Sequence, residues 1–399
     1  MPPDALSAPA RTLPSVSTRT AILLSALATC LLLAACSSGG ARTTTPTATA
    51  APAMTVDEAA NRGRYGVGVT TLNLVDTTRV TAPNRDDPGA PERRMAVEVW
   101  YPAAATAVAP EQRDAALEQS GGPYAMIIFA HGFSSFARQS ASYTQHLASH
   151  GYVVASPGFP QSRLDTPGGP RISAVLDQPA DVSFVIDEML KRAAASDGAF
   201  SRAIDETRVG MTGHSLGGLT TMLTAYGATR DARIKAFAPI SPVGCFLPAG
   251  IGSNISVPMM VIGGTRERIL DPASIRAAYA GASPPKYYAQ VIGADHVRFA
   301  DIDITDEQLG DVVAQASRGD LIADAIKVGQ ALGANVAKCL DRTTSDDELI
   351  AGDRQRELLR TVATPFFDAY LRGDQSAARF LRDTLPTLKG IRFESEGVE

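Results

Sequence analysis

No run of basic residues occurs anywhere in the 399-residue chain, and Lys plus Arg (37) fall short of Asp plus Glu (42), giving a net charge of −5. Nucleic-acid binding draws mainly on clustered cations, so no nucleic-acid partner is expected. Cysteine is scarce at four residues, tryptophan occurs once and histidine five times. Nothing in the His and Cys spacing calls for a metal or a cofactor. No apolar run reaches the ~20 residues that a membrane-spanning helix needs. Charged residues make up 20% and hydrophobic ones 45%, an ordinary balance for a globular chain long enough to bury a core.

What is present begins with a leader. Arg11 and Arg19 precede the apolar run from Ala21 to Ala35, which ends in Leu33-Ala34-Ala35-Cys36. A positive start, an apolar stretch and small residues at its end describe a secretory signal peptide. Leu-Ala-Ala-Cys also resembles the lipobox of bacterial lipoproteins, in which Cys36 is acylated and becomes the mature N-terminus. Residues 1–35 are thus expected to be removed, leaving an extracytoplasmic protein held at a cell-envelope membrane by its lipid. Residues 36–62, rich in Thr, Ala, Pro and Ser, cannot repay their ordering entropy and read as a flexible tether. Cys30 leaves with the leader and Cys36 is the anchor. Cys245 and Cys339 remain, and two thiols in an exported chain suggest one disulfide.

Residues 63–399 read as one domain with no internal repeat, and a monomer is expected. Apolar segments of strand length alternate with segments of helical spacing. Strands are expected at Tyr65–Val75, Met95–Trp100, Met126–Ala130, Tyr152–Ala155, Val209–Thr212, Ile234–Ala238, Met259–Ile262 and Tyr288–Ile292. Between them, Ser140–Ser149, Ala180–Lys191, Leu219–Tyr226 and Ser274–Ala280 are helical, and Gln355–Leu371 closes the chain as a long helix. This is α/β patterning, with a mostly parallel twisted sheet of about eight strands and helices on both faces. Residues 301–352 form a polar, helical insertion near the C-terminus.

Within that frame one stretch stands out, Gly213-His214-Ser215-Leu216-Gly217-Gly218, where a strand gives way to a helix. A serine on such a bend projects its hydroxyl above the sheet edge, and glycines let neighbouring backbone pass without a Cβ clash. A hydroxyl attacks poorly until a base takes its proton. Of the five histidines, His146 and His150 fall on a helix and its end and read as surface or capping residues. His214 adjoins the serine and points elsewhere, and His131 suits a backbone role. His296 lies in a loop after the last strand and follows the serine in the order serine, acid, histidine. The acid is expected from the loop after Met259–Ile262, where Glu267 competes with Asp271; Asp271 precedes Pro272 and looks like a helix cap. Asp295 is too close in sequence to reach its neighbour's ring. Two backbone N–H groups are needed for the oxyanion, and Leu216 and Phe133 are placed to supply them.

With these residues the chain resembles the α/β-hydrolase superfamily. Within it, the chain resembles the branch of platelet-activating-factor acetylhydrolases, dienelactone-hydrolase-like proteins and bacterial cutinases. The likeness runs from Ala96 to Leu371 and rests on Leu147-Ala-Ser-His-Gly-Tyr-Val-Val154, the serine motif, and Gly293-Ala-Asp-His-Val-Arg-Phe-Ala-Asp301. It implies a serine esterase acting on a small-molecule or lipid ester through an acyl-enzyme on Ser215. Two departures are visible: Glu267 stands where the family's acid is usually Asp, and Val243 stands near where polyester-cleaving cutinases carry Trp. The mouth is expected between the loop 159–174 and the insertion, with Phe133, Phe136, Phe159 and Phe246 as candidate lining. The alternatives are acyl transfer, which shares the same intermediate and is not separable from hydrolysis at this level, cleavage of a polyester, and a non-catalytic surface lipoprotein that only binds lipid.

Overall fold

Strand β4 (Tyr124–Ala130) is buried at all seven positions, as a strand covered on both faces must be. Alternation along it splits the core in two. Met126 and Ile128 face a cluster with Val209, Met211, Val185, Ile186 and Met189, while Ile127 and Phe129 face another with Val154, Ile262, Val362, Phe366 and Phe367. The computed structural model describes residues 52–104 and 110–398, apart from 306, 309, 312–313, 315–318, 335 and 337–345. The leader, Cys36 and Cys339 therefore lie outside the described residues.

The remaining strands are β1 (Gly66–Asp76), β2 (Arg93–Ala103), β3 (Gln112–Arg113), β5 (Tyr152–Pro157), β6 (Ile204–His214), β7 (Ile234–Ile240), β8 (Met259–Gly264), β9 (Lys286–Val291) and β10 (Ile391–Glu396). They form one sheet in the order β10-β9-β8-β7-β6-β4-β5-β2-β1-β3. From β5 through β4 to β9 every pair is parallel. β2 runs antiparallel to both β1 and β5, and β10 runs antiparallel to β9. The sheet has ten strands rather than about eight. The two additions are the two-residue β3 and the edge strand β10, which is buried only at Ile391.

Helix α1 (Val56–Ala60) lies inside the expected tether and corrects its end: Ala59 and Ala60 are buried, and the helix is capped by a reciprocal pair of hydrogen bonds between Thr55 and Glu58. Helices α2 (Ala141–Ser149), α3 (Gln178–Ala194), α4 (Leu216–Tyr226) and α5 (Pro272–Gly281) fill the crossovers. Of the expected insertion, helix α6 (Gly319–Leu332) is described; it packs on the short turn Ile172–Leu176, and Asp324 accepts a hydrogen bond from the Ser173 N–H at 2.8 Å. Helix α7 (Gly352–Arg372) lays Leu358, Leu359, Val362, Phe366 and Phe367 on the sheet. Burying one such Phe is worth about 3 kcal/mol at most, so this helix carries a large part of that face. No described helix is long and apolar enough to cross a membrane.

Candidate active site

Ser215 sits between β6 and α4 with φ 57° and ψ −115°. A side chain held at positive φ costs on the order of 1–3 kcal/mol and persists only when its surroundings enforce it. Here the Ser215 N–H donates to the Ile240 carbonyl at 2.9 Å, and its own carbonyl accepts from Leu219 N–H at 3.1 Å. The glycines are forced by contact. A Cβ on Gly217 would lie 2.0 Å from the Ala130 oxygen, and one on Gly213 would lie 2.4 Å from the Gly217 oxygen.

The imidazole of His296 arrives from the loop after β9. Its Nε2 lies 2.8 Å from Ser215 Oγ and its Nδ1 lies 2.7 Å from Glu267 Oε2. His296 is 2% exposed and Glu267 is fully buried. Glu267 also accepts from Ser241 Oγ at 2.5 Å and, at the long distance of 3.4 Å, from Gly264 N–H. The carboxylate therefore holds the Nδ1–H tautomer and leaves the Nε2 lone pair towards the serine hydroxyl. Asp271 is elsewhere: it caps α5, accepting from Ala273 N–H at 2.9 Å. Asp295 turns away from the ring and accepts from the N–H groups of Val297 and Arg298, while Gln355 on α7 clamps its backbone from both sides. The motif's Asp301 ties this loop to α2, accepting from Ser142 N–H at 2.7 Å.

The third loop follows β4. His131 is fully buried, and burial pushes its pKa down to about 4, so the ring is neutral. Its Nδ1–H donates to the Gly132 carbonyl at 2.7 Å and its Nε2 accepts from Phe159 N–H at 3.1 Å. With that carbonyl turned to His131, a planar trans peptide turns the Phe133 N–H the opposite way. Leu216, in the first turn of α4, has an N–H with no acceptor inside its helix.

A ferulic acid esterase from Streptomyces cinnamoneus superposes with a TM-score of 0.53 at 20% identity, covering 82% of this chain and 93% of that one. The chain has the α/β-hydrolase fold. Residues 117–309 match the family described as PETase, PET hydrolase-like. No curated protein matches the chain. The matched segment holds β4 to β9 of the sheet and all three loops just described; it stops before α6.

Above Ser215 the chain has a cavity of about 410 Å³. Its walls include Phe133, Leu164, Pro170, Ile269, Val297, Ile302, Ile304 and Leu321, with Arg85 and Asp320 at the rim. The last two form an exposed ion pair at 3.2 Å that joins the loop after β1 to α6. The expected phenylalanine lining is corrected by this arrangement. Phe133 lines the cavity, but Phe136 is 48% exposed away from it, and Phe159 is buried with its ring 5.2 Å from that of His131. Phe246 is buried in an apolar cluster with Leu216, Leu219 and Val243. Aliphatic residues of the loop 159–174 and of the insertion take their place.

His146 departs from the expected surface role. It is buried, its Nε2 lies 3.0 Å from Thr364 Oγ1 on α7, and burial holds its pKa well below the usual histidine value. His150 ends α2 as expected, and its Nε2–H donates to the Asn61 carbonyl. Among the described residues no group of three or more His, Cys, Asp or Glu is placed to hold a metal ion. Gln139 was missed in the sequence: its Oε1 accepts from Gly132 N–H at 2.7 Å and its Nε2 lies 3.0 Å from His214 Nδ1.

Proposed function

We propose that the chain is a serine hydrolase of carboxylic esters, with Ser215 as nucleophile, His296 as base and Glu267 as its orienting acid. The observation that carries this reading is the unbroken contact from Glu267 through His296 to Ser215 at 2.7 and 2.8 Å. Ser215 Oγ attacks the ester carbonyl as its proton passes to His296 Nε2. The Phe133 and Leu216 N–H groups hold the oxyanion. His296 returns the proton to the leaving alcohol, and water then attacks the acyl-enzyme by the same steps.

The apolar walls support a small-molecule or lipid ester with a compact hydrocarbon part. Polyester cleavage is a second reading, favoured by the match to the PET hydrolase-like family. Val243 in place of a tryptophan and the wall supplied by Ile302, Ile304 and Leu321 favour soluble esters over a polymer surface. The leader, the acylated Cys36, the extracytoplasmic membrane location, the Cys245–Cys339 bridge and the monomeric state belong to the same reading. Mass spectrometry of the mature N-terminus and of the non-reduced tryptic peptides tests the first, second and fourth. Turnover of p-nitrophenyl butyrate that disappears in Ser215→Ala, with labelling of Ser215 by a fluorophosphonate, supports the esterase reading. A Ser215→Ala variant as active as the parent refutes it, and an added alcohol acceptor separates transfer from hydrolysis.

A further inference from the structure

Between the loop that carries Phe133 and the loop that carries His296 lies a buried chain of hydrogen bonds that the proposed chemistry does not use. Gly132 N–H donates to Gln139 Oε1 at 2.7 Å, Gln139 Nε2 meets His214 Nδ1 at 3.0 Å, and His214 Nε2 meets the His296 carbonyl at 2.8 Å. Gln139 is 2% exposed and His214 6%. One assignment of protons satisfies all three contacts. A carbonyl only accepts, so His214 Nε2 carries the proton, its Nδ1 is a lone pair, and the Gln139 amide nitrogen donates to it. The Gln139 oxygen is then left to accept from Gly132, as observed. A protonated His214 would present donors on both sides and break the middle bond. Burial keeps that from happening near neutrality, pushing its pKa down to about 3.

We propose that Gln139 and His214 are positioning residues that act as one unit, fixing the oxyanion loop and the base loop at a set separation on either side of Ser215. This rests on the esterase reading above. His214 is attached to Ser215 by one peptide bond, so the bridge passes beside the nucleophile itself. Misplacing a reacting group by ~1 Å can cost on the order of 100-fold in rate, so a strut of this kind has a measurable kinetic signature. A merely structural role would lower stability and leave turnover of the folded fraction alone.

The test is a double-mutant cycle on His214→Phe, which keeps a ring without its nitrogens, and Gln139→Leu, followed with p-nitrophenyl butyrate. Each single variant is expected to lower kcat by about 10- to 100-fold with KM within about twofold, and the double variant to be no worse than the poorer single. His214→Gln, whose amide nitrogen can reach the His296 carbonyl, is expected to recover more than half of the loss on a logarithmic scale. Losses that multiply in the double variant, or folded singles with kcat within about twofold of the parent, overturn the unit. Should the variants not fold, the parent protein decides by itself: ¹⁵N NMR of the histidine rings must show His214 neutral and protonated on Nε2 from pH 5 to 8. An Nδ1-protonated ring overturns the inference. That spectrum needs no turnover, so an inactive parent counts against the esterase reading alone.

Discussion

Replacing Glu267 by Gln keeps the size of the side chain and removes its charge. The carboxylate lies 2.7 Å from His296 Nδ1 in a fully buried setting, so it opposes the positive charge that the ring acquires as the serine proton moves. With about 4 Å between charge centres and an effective dielectric of about 20, that attraction is about 4 kcal/mol. Losing it slows acylation about 10³-fold, since each 1.4 kcal/mol is about tenfold. An amide that turns its nitrogen to Nδ1 would also force the wrong tautomer, taking the loss towards about 10⁴-fold. The assay is kcat for p-nitrophenyl butyrate in Glu267→Gln, with thermal unfolding recorded alongside. Asp271→Ala is the control: it removes the cap of α5, with a cost of about 1 kcal/mol in stability, and leaves kcat within about twofold. A Glu267→Gln enzyme within about tenfold of the parent, or an Asp271→Ala enzyme that is folded and inactive, refutes the assignment.

Gly217→Ala is expected to destabilise the fold by about 1–3 kcal/mol or more and to abolish turnover, because the new methyl meets the Ala130 oxygen at 2.0 Å; urea unfolding and kcat together check it. Leu321→Ala should raise kcat/KM for a p-nitrophenyl octanoate relative to the acetate, by about fourfold for each additional methylene the widened cavity takes in, and unchanged ratios count against this wall. Stability should fall as pH is lowered from 6.5 towards 4. Burial depresses the folded-state pKa of His131 to about 4 and of His214 to about 3, so below 6.5 the unfolded chain binds protons that the folded chain refuses. Each contributes a slope of up to about 1.4 kcal/mol per pH unit in that window, and urea midpoints that are flat or rising between pH 7 and 5 contradict it.

Legibility followed the scale of the constraint. The serine bend could be read because its glycines answer to clashes within a few residues, and a Cβ at Gly213 or Gly217 has nowhere to go. His296 could be read from chain order, and Glu267 from its place after an apolar strand. β10 could not: Arg392, Glu394, Ser395 and Glu396 leave it the appearance of a polar tail, and only pairing with β9 makes it a strand. His146 looked like a surface residue because α7, which buries it, lies more than two hundred residues away. The phenylalanines failed for a related reason. Spacing places Phe159 near a strand end, but the direction of its ring follows from the bond of its own N–H to His131. Gln139 carries no motif; its contacts with Gly132 and His214 exist only once separate loops have met.

The ion pair between Arg85 and Asp320 joins two segments that contribute none of the reacting groups. The reacting atoms stand on the tips of β6, β8 and β9, rods pinned by their neighbours in the sheet, whereas the hood over them is fastened from outside by a solvent-facing clasp. Changes confined to α6 and its clasp are therefore expected to alter which molecules are admitted before they reach Ser215, Glu267 or His296.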